Sequence, residues 1–224
     1  MISNLLKNKM LAVFFLAILS CEKNLDPVVN YQSARYQLDF VSTWSMATHP
    51  TNYPANAHYS PIFGVTHTAA ISLWNPGELA SAGIEEMAEL GATDLLNEFA
   101  KTQQSMENIG TIFIGERLDT PINYSIIFDI DVRFSQVTAV SMLAPSPDWF
   151  IGVSGLNLYE NGKWVEQISI DLPVYDAGTD NGAVYRSAND DANPAMPITL
   201  LSASQTDFLN GTPTIGTFIF TRID

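Results

Sequence analysis

A formal net charge of −14 on 224 residues, from 24 acidic against 10 basic side chains, excludes a partner built on a phosphate backbone, which demands a basic face. With 46% hydrophobic and 15% charged residues, the chain has ample apolar material for a packed core and no compositional mark of disorder. Its single cysteine excludes an internal disulfide framework.

Lys7 and Lys9 precede an apolar run over residues 11–19, followed by Ser20 and Cys21. That run is well short of the roughly 20 residues that span a bilayer, and the order of charge, apolar stretch and small residue is that of a secretory signal. The segment resembles a bacterial lipoprotein leader. Residues 1–20 are therefore read as a signal peptide and Cys21 as the lipid-bearing residue through which the protein meets the membrane. Without the two leader lysines the remainder carries 24 acids against 8 bases, a net charge of −16. Residues 21–34 are polar, include Asp26, Pro27 and Asn30, and read as a tether. A single domain then spans residues 35–224.

Within it, residues 35–44 alternate Tyr36, Leu38 and Phe40 with polar neighbours, the pattern of a strand with one buried face. From Trp44 to His67 the prolines at 50, 54 and 61 predict an ordered loop. His49, His58 and His67 are nine residues apart, a spacing that suits no zinc motif, so they are read as hydrogen-bonded structural histidines. Asn75, Pro76 and Glu78 look like a helix start. A helical segment is expected over 84–90, stopped by Gly91. Thr93 is placed as the cap of a second helix carrying Leu95, Leu96 and Phe99 on one side. The acidic faces of both helices are read as solvated surface.

From Thr111 onward the pattern turns to strands. Over 123–134, Tyr124, Ile126, Phe128, Ile130, Val132 and Phe134 alternate with polar residues, which puts Asp129 and Asp131 on a wet face. Residues 137–143 form another expected strand. Segments 150–159 and 163–172 flank Asn161 and Gly162, a strong hairpin signal, and 215–223 supply a last strand. Many strands with short turns, interrupted by helices only between residues 76 and 104, make this an all-β antiparallel sandwich with a short helical excursion.

Three aspartates sit on turn-forming segments at the ends of the expected 150–172 hairpin. Asp148 follows Pro145 and Pro147, and Asp176 and Asp180 bracket Gly178. Converging carboxylates repel one another unless a cation lies between them, and Ca²⁺ takes six to eight oxygens from such groups. The competing reading is that all three simply cap turns, a frequent use of aspartate. Spacing alone leaves both open.

Trp44, His49, Pro50, Pro61, Gly64, Trp74, Ala88, Glu89 and Gly91, together with the runs Pro145 to Trp149 and Asp176 to Gly182, resemble the spondin N-terminal domain. Tyr175 stands where a tryptophan is commoner, and the cysteine pairs of animal members are missing. The resemblance implies a C2-like sandwich with one calcium ion held by Asp148, Asp176 and Asp180, in a non-enzymatic adhesion or binding module. Combined with the leader, it implies lipid anchoring at a bacterial outer membrane or cell envelope, facing an unidentified protein or glycan at the cell surface. Two alternatives stand beside it. One is calcium-dependent phospholipid binding by analogy with other C2-like sandwiches. The other is a metal-assisted hydrolase using Asp119, Asp171 or Glu160, for which no nucleophile elbow or metalloprotease motif is present.

Overall fold

A computed structural model describes residues 32–120, 122–201, 207–209 and 213–224. The leader, Cys21 and the tether as far as residue 31 lie outside the described residues. In chain order the elements are β1 (Ser33–Ser42), β2 (His58–Tyr59), β3 (Phe63–His67), α1 (Ala82–Leu90), α2 (Asp94–Ser105), β4 (Ile109–Ile114), β5 (Leu118–Asp119), β6 (Asn123–Asp131) and β7 (Gln136–Ala144). There follow β8 (Trp149–Asn157), β9 (Tyr159–Glu160), β10 (Lys163–Trp164), β11 (Gln167–Pro173), β12 (Tyr175–Asp176), β13 (Thr199–Leu200) and β14 (Thr214–Arg222). One sheet runs in the order β11-β14-β1-β6, and the larger in the order β13-β12-β8-β7-β2-β5, with β3 joining β7 to β4. The ladders are antiparallel throughout. This is the expected all-β sandwich.

The alternating strands bury the faces their sequences dictate. Tyr36, Leu38 and Phe40 of β1 meet Phe218 and Phe220 of β14 and, from the facing sheet, Val137, Ala139, Ile151 and Val153. Phe40 packs edge-on against Tyr59 at 4.8 Å and Phe218 at 5.3 Å, a geometry that adds about 1 kcal/mol per pair to the burial itself. A second core lies on the other face of the larger sheet. There Phe63, Val65, Val140, Met142 and Phe150 meet Ile84, Met87 and Ala88 of α1 and Leu96 and Ala100 of α2. The helical excursion thus lids the sheet, so β3 and β7 are buried on both faces.

Several expectations need correction. The stretch from Trp44 to His67 is not all loop: β2 and β3 lie end to end along one edge of β7, opposite Leu143–Ala144 and Gln136–Val140. Pro61 falls in the break, where its missing N–H costs the ladder nothing. Asn75 to Glu78 is a tight turn, with Glu78 N–H donating to Asn75 O at 3.2 Å. The true cap of α1 is Ser81, whose hydroxyl accepts from Ile84 N–H at 3.3 Å. Gly91 ends α1 in the left-handed conformation, as expected. Thr93 makes no side-chain cap, and Glu86 instead accepts from Leu95 N–H at 2.9 Å. On α2 only Leu96 of the three predicted apolar residues is buried. Leu95 and Phe99 line an open hollow of about 440 Å³ between the helices. β6 ends at Asp131, and residues 132–134 turn as a 3₁₀ helix capped by Asp131.

The largest correction concerns the hairpin. Asn161 and Gly162 do adopt positive φ angles of 52° and 77°, but the turn joins only β9 to β10. The long strands on either side belong to different sheets, β8 to the larger and β11 to the smaller. The chain crosses the sandwich there and returns at β12, which pairs with the start of β8. Among the described residues no helix is long and apolar enough to cross a membrane.

Candidate functional site

The return crossing brings the three aspartates together. Asp176 lies opposite Trp149 in the β12–β8 register, so Asp148 and Asp176 become neighbours by strand pairing rather than through a shared hairpin. Ala177 N–H donates to Asp148 O at 3.1 Å, extending that register by one bond. The Asp148 carboxylate is fully buried. Its Oδ2 accepts from the N–H groups of Thr179 at 2.8 Å and Asp180 at 3.1 Å, and lies 3.4 Å from the Thr179 hydroxyl. Its Oδ1 is equally buried and has no hydrogen-bond partner.

Asp176 and Asp180 each fold back on their own turn. Gly178 N–H donates to Asp176 Oδ1 at 2.8 Å, and Gly182 N–H to Asp180 Oδ1 at 2.6 Å. The pattern is an aspartate followed two residues later by glycine, twice in succession, which is the local signature of side-chain-closed turns. Asp180 Oδ2 also accepts from Asp190 N–H at 2.9 Å. Three backbone bonds stitch these turns to the 190s segment: Met196 N–H donates to Gly178 O at 2.8 Å, Ala192 N–H to Thr179 O at 2.7 Å and Asn181 N–H to Asp190 O at 2.9 Å.

Gly178 has φ +74°, and a Cβ there would come within 2.2 Å of the Met196 carbonyl oxygen. Both the left-handed backbone and the crossing chain require glycine. Gly178→Ala is expected to lower stability by about 2 kcal/mol or more, read as a lower urea midpoint with unchanged slope.

Electrostatically the site is uncompensated. Burial, followed by repulsion from Asp176, pushes Asp148 up to about 6 against two opposing backbone hydrogen bonds. Burial likewise raises Asp176, with Asp180 adding to it. A carboxyl group whose folded pKa lies above its unfolded one favours folding fully below the unfolded value, and that contribution fades as pH rises through the folded value. With calcium chelated, the thermal midpoint is therefore expected to fall between about pH 4 and pH 7. The Asp148 share is about 3 kcal/mol at 1.36 kcal/mol per unit. Melting curves across that range check it, and a midpoint that climbs instead would contradict the burial of a charged Asp148.

Asp129 and Asp131, set aside from the site, form ion pairs at the surface. Asp129 pairs with Arg35 at 2.7 Å and Asp131 with Arg133 at 2.8 Å. The histidines are hydrogen-bonded: His67 to Thr138 Oγ1 and Thr68 O, both at 2.8 Å, His58 to Asn56 O at 2.8 Å, and His49 to Thr48 Oγ1 at 3.0 Å. Two participants escaped sequence reasoning. Thr179 is buried and grips Asp148, and Glu89 is half-buried near Asp180 and Asp191 rather than solvated. A glutamate in the last turn of a helix, facing the negative end of the helix dipole, was the available signal for the second.

For a hard dication the donor chemistry is right: oxygen ligands only, one carboxylate oxygen buried without a partner, and repulsion that a positive charge would relieve. Among the described residues, though, no three His, Cys, Asp or Glu side chains form a ready metal-holding group. The carboxylates are neighbours, not a closed cage.

Against known proteins, residues 34–210 match the family described as Spondin_N. Spondin-2 of Rattus norvegicus is 33% identical over 176 residues, covering 76% of this chain and 53% of that protein. Spondin-2 of Homo sapiens is 31% identical over the same share of each. Spondin-1 of Rattus norvegicus is 35% identical over 187 residues, 79% of this chain but 23% of that protein. The chain thus spans about half the length of the spondin-2 proteins and under a quarter of spondin-1.

Proposed function

Because the chain belongs to the Spondin_N family, we propose that it is a calcium-binding adhesion or binding module, working outside the cytoplasm and held at a bacterial envelope by a lipid on Cys21. The observation that carries the calcium reading is Asp148 Oδ1, buried and unpartnered beside two more carboxylates. Asp148, Asp176 and Asp180 would hold the ion. When bound, calcium supplies the charge that offsets their repulsion and ties the corner between β7 and β8 to the turn after β12. The role is structural: it fixes loops at one end of the sandwich, and those loops meet a protein or glycan at the cell surface.

Calorimetric titration of the folded chain with calcium tests the ion. Stoichiometric binding that disappears in Asp148→Ala supports the site, whereas equal binding by both proteins overturns it. Mass spectrometry of Cys21 in the exported protein tests the anchor, an unmodified thiol being the contrary result. Capture from the native envelope, with and without chelator, tests for the partner. Co-sedimentation with anionic liposomes, performed alongside, separates a protein or glycan ligand from the lipid surface.

A further inference from the structure

β1 runs from one end of the sandwich to the other. At its start, Gln32 O accepts from Val132 N–H at 3.0 Å, and the Tyr159 hydroxyl donates to Gln32 Oε1 at 3.1 Å. The ends of β6, β8 and β14 share this pole, with Ser33 opposite Asp131, Tyr36 opposite Arg222 and Gln136 opposite Asn157. β1 leaves at the other pole, where the Trp44 indole reaches Tyr185 and Tyr185 rests on Trp149, beside the aspartate turns. Its 10 residues, at about 3.3 Å each, put the two poles about 30 Å apart.

Charge divides along the same axis. Four of the eight bases outside the leader, Arg35, Arg133, Lys163 and Arg222, lie at the chain-entry pole. Arg35 pairs with Asp129, Arg133 with Asp131, and Arg222 with Glu166 and Asp224, and Lys163 stands opposite Glu160 in the β9–β10 register. The other pole gathers Asp148, Asp176, Asp180, Asp190 and Asp191, with Asp207 close to Trp149 and Tyr185. Among the described residues the bases there are Arg117, paired with Asp119 at 3.5 Å, and Arg186, which donates to Asn56. One end is nearly balanced and the other strongly negative.

We propose that the chain-entry pole, made of the start of β1, the β9–β10 turn and the end of β14, is the surface that rests on lipid headgroups. The aspartate turns then point away from the membrane. This rests on the proposed lipid at Cys21. Cys21 is eleven residues from Gln32, a reach of at most about 40 Å when fully extended. Laying the aspartate pole on the bilayer would use about 30 Å of that reach along the side of the domain. It would also press the more negative end against anionic headgroups. Their field fades within about 10 Å at 0.1 M salt, so only the pole in contact feels it. Exposed Met46, Val184 and Met196, which stand on loops at the aspartate pole, are thereby left to a partner facing the membrane.

The test uses the full-length lipoprotein, purified with its lipid and placed in vesicles of phosphatidylethanolamine containing a quarter phosphatidylglycerol. Because Cys21 is the only native cysteine and carries the lipid, Glu160→Cys and Val184→Cys each accept one fluorophore at an exposed position. Headgroup spin labels, which quench at contact distance, are expected to dim the label at 160 severalfold and leave the label at 184 bright. The pattern is expected to hold with calcium or with chelator, in proteins whose melting curves match the wild type. Quenching at 184 equal to that at 160, or appearing at 184 only with calcium, would mean that the aspartate pole meets the lipid and would overturn the proposal. So would a bright label at both positions. Failure of the anchor itself looks different: the wild type does not float with the vesicles, or Cys21→Ser floats equally well.

Discussion

Asp148→Asn is expected to give a domain that, at pH 7 with calcium chelated, melts higher than the wild type and no longer responds to added calcium. Asparagine keeps an acceptor oxygen for the N–H groups of Thr179 and Asp180 but removes a charge whose folded pKa is pushed up to about 6 by burial and by Asp176. At pH 7 the wild type must ionise that group in place, so the substitution relieves up to about 3 kcal/mol. The wild type regains the deficit from calcium, by about 4.1 kcal/mol at a thousandfold excess over Kd. The two proteins should therefore exchange rank as calcium rises. Differential scanning calorimetry at several calcium concentrations reads this directly, and curves that stay parallel would remove Asp148 from the site.

The second large effect is expected from Trp149→Ala. Trp149 follows Asp148 directly, is buried, and stacks on Phe208 at 5.3 Å and edge-on against Tyr185 at 5.5 Å. Tyr185 in turn receives the Trp44 indole N–H at 3.2 Å, so one run of aromatic rings links the first strand's exit to the aspartate turns. Truncating a buried aromatic of this size costs about 3–5 kcal/mol. In a domain of this length that lowers the thermal midpoint by about 10 °C. Calcium affinity should fall as well, because Tyr185 lies just beyond the turn that carries Asp180. A folded Trp149→Ala protein with unchanged affinity would mean that the rings support the core alone.

What could be read from the sequence divides along physical lines. β1 and β6 were legible because one face of each is wet, so Tyr36, Leu38 and Phe40 alternate with residues that water tolerates. β3 was not, because the helices cover its outer face and every residue from Phe63 to His67 is buried, which erases the period. The Asn161–Gly162 turn was recognised correctly, yet turn chemistry constrains only the residues beside it. It carries no information about the sheet that the next strand joins. The aspartates were visible through their neighbours, since Asp148 follows Pro145 and Pro147 and Asp176 and Asp180 bracket Gly178. The burial of Asp148 depends on β12 pairing with β8, and the partial burial of Glu89 depends on the docking of α1. Both are tertiary facts.

The strand order β11-β14-β1-β6 bears on when this fold can exist. β1 and β14, from opposite ends of the domain, are hydrogen-bonded neighbours in the middle of one sheet, Tyr36 lying opposite Arg222 and Ser42 opposite Gly216. Until β14 arrives, β11 has no partner in that sheet and β1 has only β6. A chain emerging from its N-terminus therefore cannot complete the smaller sheet until β14 is out, and closing so long a loop slows folding.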